Sequence, residues 1–394
     1  MPEIISRCRG CHVAGQNLER VLEMEPMPLA GVFCTSLESA LQAPVFPLTW
    51  VMCQECDLVQ VAEDVDDSTL FAHYNYASSS VAGLVRHFQD FASFLTARYE
   101  STDRLSFLEI GCNDGVLLNR LPSHWELLGV DPSDVALRAS LNSVPYRLCN
   151  RPFSLDLVLE NKWEGKIDVI SGSNCLAHIS DLRSLFEAVA LALRDGGEFW
   201  VEVHDLDALL RGSQWDTIYH EHKVEWSEQS LLRCLLPLGF THIQTIRTPM
   251  HGGALRICFR KQKSPSSSFR RSGHTTQLLK NLRHAYENRY QTNAALSLVN
   301  AQKSGQRIAA YGAAGRANVY LNQMQQLQFD YIVDEAPLRV NKFIPRVATP
   351  ILPPHQLGIH PAQFCLITAW NYQQDIIRKN PQFTGTWLTA FEEE

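Results

Sequence analysis

The chain has 394 residues, with 45% hydrophobic and 20% charged residues, so it has room for two or three domains and its bulk is not disordered. A net charge of -7, from 35 basic against 42 acidic residues, gives no global pull toward phosphate backbones and argues against nucleic acid as a partner. No run of about 18 apolar residues is available to span a membrane. The start, Met1-Pro2-Glu3-Ile4-Ile5-Ser6-Arg7-Cys8, lacks the basic-then-apolar pattern of a secretory signal. Eleven scattered cysteines, an odd number, fit reduced thiols in the cytoplasm better than a disulfide framework.

In chain order, the region to about Tyr76 is rich in Cys, Pro and short apolar runs. It carries Cys8-x-x-Cys11 and Cys53-x-x-Cys56. Each pair can place two thiolates on a tetrahedral zinc ion, and four thiolates leave no open position, so the metal is expected to be structural. From about Leu105 to Arg260, strand-like runs alternate with amphipathic stretches. Strands are predicted at Leu105–Ile110, Glu126–Asp131, Ile167–Ser171 and Phe199–Val203, with helices over Val116–Leu121 and Leu182–Leu193. This grammar predicts parallel βαβ units. The segment Lys261-Gln262-Lys263-Ser264-Pro265-Ser266-Ser267-Ser268 reads as a loop or linker. One long helix is predicted for Thr275–Gln302. A second α/β region follows, with strands at Arg307–Gly312, Phe329–Asp334 and Phe364–Trp370 and a helix over Gly315–Met324.

Several motifs carry chemistry. Glu109-Ile110-Gly111-Cys112-Asn113-Asp114-Gly115 follows the first central strand. Glycines at a strand-to-helix turn let a nucleoside approach the backbone closely. Asp131, 20 residues on from Gly111, is suited to accept from both ribose hydroxyls. The pattern resembles the E/D-x-G-x-x-x-G turn of class I S-adenosylmethionine enzymes and not the G-x-G-x-x-G loop of NAD enzymes. On this resemblance Glu109, Gly111, Asn113, Gly115 and Asp131 are expected to hold a methyl donor. Asp216-Thr217-Ile218-Tyr219-His220-Glu221-His222 holds two histidines only two apart, which does not fit the helical zinc motif H-E-x-x-H. Acid–base work by an imidazole oriented by a carboxylate or phenol is the better reading. His251-Gly252-Gly253-Ala254-Leu255-Arg256 is either a hairpin turn or a phosphate site with Arg256 as a fork donor, and the two can coexist. Tyr311-Gly312-Ala313-Ala314-Gly315 is a second strand-to-helix turn, able to cradle a phosphate. It has no acidic partner at a convincing cofactor position, so no second cofactor is assigned.

Taken in order, these pieces resemble the sugar-nucleotide C-methyltransferase family. The resemblance runs through Cys8-Arg9-Gly10-Cys11, Phe46-Pro47-Leu48, Cys53-Gln54-Glu55-Cys56, Tyr74-Asn75-Tyr76-Ala77-Ser78-Ser79 and the Glu109–Gly115 turn. It continues through Asn174-Cys175-Leu176-Ala177-His178-Ile179, Tyr219-His220-Glu221-His222, His251-Gly252-Gly253 and Tyr311-Gly312-Ala313. It implies an α/β fold: a zinc-binding lobe (residues 1–80), a central Rossmann-like class I methyltransferase domain (81–262), and a C-terminal α/β Rossmann-like domain (263–394) that helps hold the nucleotide sugar. The implied activity is methyl transfer from S-adenosylmethionine to carbon beside the ketone of a dTDP-linked 4-keto-deoxysugar, typically C3. By motif match His222 is the base, Glu221 and Tyr219 support it, and Tyr76 bonds near the keto group. Asn174 joins the cofactor set, and His178, His220, His251, Arg256 and Tyr311 fall on the substrate side. The expected partner is the nucleotide sugar alone, with no nucleic acid or membrane, and the expected state is a monomer. One departure is Lys223-Val224-Glu225-Trp226-Ser227, where the family commonly has an aromatic pair before the Ser.

Overall fold

Residues 2–70, 77–262 and 274–391 are described by a computed structural model. The central apolar runs form strands because both of their faces are covered. Leu108, Ile110 and Ile170 pack with Leu185, Phe186 and Val189 of the helix Leu182–Ala192. Their neighbours Phe107 and Val169 point the other way, against Phe88, Phe91 and Leu95 of the helix Ala82–Arg98. A strand buried on both sides reads as a continuous apolar run instead of an alternating one. The sheet has seven strands in the order Phe240–Thr248, Ala254–Lys261, Leu193–His204, Ile167–Ser173, Ser106–Ile110, Glu126–Val130, Arg147–Cys149. Leu193–His204 and the four strands after it in that order run parallel. Phe240–Thr248 and Ala254–Lys261 form an antiparallel hairpin at the edge, so His251-Gly252-Gly253 is a turn.

The C-terminal half repeats the theme with five parallel strands, ordered Ile351–Leu352, Tyr331–Val333, Ile308–Tyr311, Phe364–Ile367, Thr386–Thr389. The N-terminal lobe is a four-stranded antiparallel sheet of Leu18–Met27, Phe46–Cys53, Val59–Val61 and, at the far edge, Val224–Glu225. That last strand comes from the central region and begins two residues after His222. Leu22 and Met24 of the lobe, Trp215 and Ile218 before Tyr219, and Ala310 and Tyr320 of the C-terminal half share one core. The three parts therefore close around the segment that carries Tyr219–His222.

Two predicted helices differ. Val116–Leu121 is helical only as a 3-10 turn over Leu118–Arg120. Leu121 precedes Pro122, whose ring disfavours helix at that residue, and it is extended, with φ -81° and ψ 157°. The long helix predicted for Thr275–Gln302 is two, His274–Glu287 and Asn293–Lys303. Thr292 breaks it: its backbone is extended, and its hydroxyl accepts from Ala295 N at 3.2 Å, an N-cap that starts the second helix. Most of the Ser-rich linker, and Tyr74–Tyr76, lie outside the described residues. Among those described, no helix is long and apolar enough to cross a membrane.

Candidate active site and zinc module

The two cysteine pairs meet. Cys8 Sγ is 3.6 Å from Cys56 Sγ, and Cys11 Sγ is 3.6 Å from Cys53 Sγ. Four thiolates at about 2.3 Å from a central zinc ion span tetrahedral edges of about 3.8 Å, so the set fits that metal. Both knuckles close alike: His12 N donates to Cys8 O and Asp57 N to Cys53 O, each at 3.0 Å, with His12 and Asp57 at φ 61° and 58°. Gln60 Nε2 donates to Cys8 Sγ at 3.3 Å, the outer-shell bond that steadies a thiolate ligand.

The donor turn is built on left-handed backbone. Gly111 and Gly115 have φ of 69° and 74°, and a Cβ would lie 2.6 Å from Cys175 Cβ at Gly111 and 2.5 Å from Tyr146 Oη at Gly115. Asp131 Oδ2 accepts from Asn113 N at 2.9 Å and Oδ1 from Ser133 N at 2.8 Å. Each oxygen keeps a second lone pair. Asn113 Oδ1 in turn accepts from Ser78 N at 2.9 Å. Around this turn and the carboxyl end of the next strand, Glu109 Oε2, Ser171 Oγ, Ser173 Oγ and Asn174 Oδ1 are buried without a hydrogen-bond partner. Buried polar groups are rarely left so, and unpartnered polar atoms clustered by this turn fit a polar nucleoside as their partner. Burial, with repulsion from Asp131 and Asp114, pushes the Glu109 carboxyl well above its usual range.

The catalytic candidates sit on a loop held from three sides. Asp216 is fully buried and takes a fork of bonds from Arg316 of the C-terminal half, Nη2 at 2.6 Å and Nε at 3.0 Å. A Cβ on Gly315 would lie 3.7 Å from Tyr219 Oη, so the second Gly turn abuts this phenol. Tyr219 Oη is 2.6 Å from His222 Nε2. His222 Nδ1 is 3.2 Å from Thr217 O, a carbonyl that can only accept. Nδ1 therefore carries the proton, and Nε2 accepts from the phenol. Burial lowers the pKa of His222 and raises that of Tyr219 well above its usual value, so both are neutral at pH 7. His178 completes the group. Its Nδ1 is 2.7 Å from Glu221 O, its ring lies 5.3 Å from that of His222, and burial, with His222 adding to it, pushes it down to about 3.

Other residues are placed differently from the sequence reading. Glu221 does not orient His222: its Oε1 accepts from Gly31 N at 2.8 Å. The carboxylate beside His222 is Glu225. His220 turns into the zinc lobe, with Nε2 2.8 Å from Pro47 O, because alternate residues of this loop point to opposite sides. Arg256 is not a free fork donor. It lies buried with Nε 2.7 Å from Glu202 Oε2 and its guanidinium 3.7 Å over the Phe91 ring. Tyr311 Oη donates to Glu335 Oε1 at 3.0 Å and accepts from Asn380 Nδ2 at 3.3 Å, among the C-terminal core residues. His251 lies near the site, its ring 5.7 Å from that of His204. The Gly312 turn does have an acidic partner, Asp334, whose Oδ2 accepts from Ala313 N at 2.7 Å. Sequence reasoning missed His204, Glu225 and Arg316. Glu225 alone left a signal, its position three residues after His222.

A Gly111–Gly115 turn on a mainly parallel sheet, with Asp131 ending the neighbouring strand, defines a Rossmann-like methyltransferase that uses S-adenosylmethionine, here carrying a four-cysteine zinc lobe. The chain matches three family models along its length: "Putative zinc binding domain" over residues 8–71, "Methyltransferase domain" over 82–245 and "C-methyltransferase C-terminal domain" over 249–391. It is 27% identical to C-methyltransferase NovU of Streptomyces niveus, over 97% of this chain and 94% of that one. The chain is thus an S-adenosylmethionine-dependent C-methyltransferase, similar along its length to proteins in which these three parts follow one another. Similar solved structures include the PH0226 protein of Pyrococcus horikoshii OT3 (16% identity, 49% of this chain and 99% of that one, TM-score 0.39). Another is the N-methyltransferase NodS of Bradyrhizobium japonicum WM9 with S-adenosyl-L-homocysteine (16%, 45% and 86%, TM-score 0.33).

Proposed function

We propose that this C-methyltransferase acts on a dTDP-linked 4-keto-deoxysugar and methylates C3, the carbon beside the ketone, through an enolate. The observation that carries the reading is the hydrogen-bonded pair of half-buried Tyr219 and buried His222, both neutral, at the meeting point of the three parts of the chain. A C–H beside a carbonyl is acidic enough to lose its proton once a base is in reach and the oxyanion is stabilised. S-adenosylmethionine, when bound, supplies an electrophilic methyl group. Asp131 accepts from the ribose, and Glu109, Asn113 and Asn174 line the rest of that pocket between Gly111 and Gly115. His222 is the final proton acceptor. Tyr219, whose hydroxyl fills the Nε2 lone pair, passes the proton on: it gives its own to Nε2 as it takes the one from C3. His178 and His251 flank the sugar. Tyr76 keeps the keto-binding role that the resemblance implies. The proposal includes a division of the chain near residues 80 and 262, a monomeric state, and a cytoplasmic setting in which the eleven cysteines, none of them in a disulfide, stay reduced.

The test is hydrogen exchange. In D₂O, with S-adenosylhomocysteine as an unreactive donor, the wild type washes deuterium into C3 of the sugar. His222→Asn loses exchange and turnover by about 10²–10⁴ while binding S-adenosylhomocysteine normally, and Tyr219→Phe loses exchange with it. Wild-type exchange in His222→Asn moves the base elsewhere. Calorimetric binding of a short RNA, with none of dTDP, removes the sugar substrate.

A further inference from the structure

One buried carboxylate beside the base has no role so far. Glu225 is 2% exposed and lies in the two-residue strand that pairs with the zinc lobe, Val224 opposite Gln60 and Glu225 opposite Val59. Its Oε1 is 3.4 Å from His222 Nδ1, and its Oε2 is 3.8 Å from Nδ1 of His204. Among the described residues no other carboxylate lies within 4.0 Å of a His222 ring nitrogen. A charge this deep is retained only when it is compensated. Burial works to raise its pKa, but His204 and then His222 outweigh that and hold it at about 2.

We propose that Glu225 is the positioning residue of the proton-transfer step: with Thr217 O it fixes the Nδ1–H tautomer of His222 and stabilises the imidazolium that forms there. This rests on the reading that His222 is the base. The C3–H bond breaks, its electron pair stays on the sugar as the enolate, and the proton arrives at His222 Nε2 by way of Tyr219. The new positive charge then lies 3.4 Å from the Glu225 carboxylate, whose own burial leaves it weakly screened. The other carboxylate oxygen lies 3.8 Å from His204 Nδ1. The fixed strand register gives Glu225 a precision that a side chain on a free loop would lack.

The remaining charged and titratable groups around His222 do not duplicate this role. Tyr219 occupies Nε2, and the rings of His178 and His204 lie 5.3 and 5.2 Å away. Asp216 is engaged by Arg316, Glu221 by Gly31 N, and His251 sits behind His204. His204, His222 and Glu225 also bring their ligand atoms within 4.8 Å of one another, a spacing a metal ion could use. A ligating Nδ1 needs its lone pair, however, and the bond to Thr217 O puts a proton there.

The test compares zinc-loaded wild type with Glu225→Gln and Glu225→Asp, following turnover and C3 exchange against pH. Only the unprotonated imidazole accepts a proton, so activity rises as pH passes the His222 pKa. Removing the negative charge lowers that pKa and weakens the base. Glu225→Gln is therefore expected to lose turnover and exchange by about 10²-fold. Its acid limb moves to lower pH by about one unit or more, while S-adenosylhomocysteine affinity and the melting temperature stay near wild type. Glu225→Asp, which keeps the charge at a longer reach, returns the limb toward the wild-type pH. Equal losses in both variants with an unmoved limb mean a structural role and overturn the proposal. So does a second metal equivalent, beyond the zinc, that is lost in Glu225→Gln. A wild type that turns over no keto sugar at any pH overturns the functional reading itself, and the assignment to Glu225 with it.

Discussion

The central and C-terminal halves build the same turn and leave it in opposite states. In both, the acid that ends the second strand ties down two backbone amides: Asp131 takes Asn113 N and Ser133 N at 2.9 and 2.8 Å, and Asp334 takes Ala313 N and Ala336 N, both at 2.7 Å. In the C-terminal half Arg339 Nη1 then reaches Asp334 Oδ2 at 3.1 Å, and Thr368 Oγ1 donates to Tyr311 O and Gly312 O at 2.8 and 2.7 Å. In the central half no cation pairs with Asp131 among the described residues, and Ser171, Ser173 and Asn174 keep unpaired polar atoms. The acid at a Rossmann-like turn is first of all a backbone clamp. Whether it can also hold a ribose depends on whether the surrounding side chains have already neutralised it.

The largest test of that contrast is removal of zinc. The lobe contributes the sheet edge on which Val224–Glu225 pairs, but none of the bonds around Asp131. Metal binding in small zinc modules is worth on the order of 10 kcal/mol, coupled to folding. Chelation is expected to abolish turnover while titration with S-adenosylhomocysteine still shows binding within a few-fold of normal. Elemental analysis finding no zinc in unchelated protein would contradict the module.

Acid comes next. His178 and His251, both in the central half, are pushed down to about 3, by burial first. The unfolded chain takes up these protons near pH 6.5 and the folded one near 3, so stability falls as pH drops through that window. The slope is up to about 1.4 kcal/mol per pH unit for each histidine. Denaturant unfolding at pH 7, 6, 5 and 4 checks this, and a flat profile would refute it.

Glycine substitutions separate the two turns. Gly115→Ala must accommodate φ 74° and a contact of 2.5 Å with Tyr146 Oη, and is expected to lose about 1–3 kcal/mol of stability and donor affinity as well. Gly312→Ala, at φ 101° and 3.0 Å from Ala369 Cβ, is expected to lose stability alone. Smallest is the acid pair. Asp131→Ala weakens S-adenosylhomocysteine binding by about 1–3 kcal/mol, and Asp334→Ala leaves it unchanged. Equal effects in calorimetry would erase the distinction between the halves.

Much of the site was readable because its residues are close together in the chain. Tyr219 and His222 stand three apart, and each cysteine pair closes a knuckle within four residues. The carboxylate was misassigned for a related reason. Glu221 adjoins His222 in sequence, but neighbouring side chains on this loop diverge, so Glu221 meets Gly31 while Glu225 returns to the imidazole. The departure at Lys223–Ser227 contains that group, and Lys223 itself is buried against Asp67 and Ser180. Arg256 was read as a ligand fork because a guanidinium beside two glycines suggests phosphate. Its actual partner, Glu202, lies on the neighbouring strand, and strand pairing leaves no mark in one-dimensional spacing.

By itself, then, the sequence determined the local elements: thiolates in pairs, glycines where φ must be positive, an acid about twenty residues past the first turn, and apolar runs long enough for buried strands. These depend on neighbours within a turn or a strand, where geometry follows directly from covalent spacing. Only the tertiary structure decided which strand completed the zinc-lobe sheet, which turn kept a free carboxylate, and which acid faced the imidazole. Those outcomes depend on side chains far apart in the chain, Arg339 on Asp334 and Arg316 on Asp216 among them, and on burial, which sets the charge of each group only after the three parts have closed together.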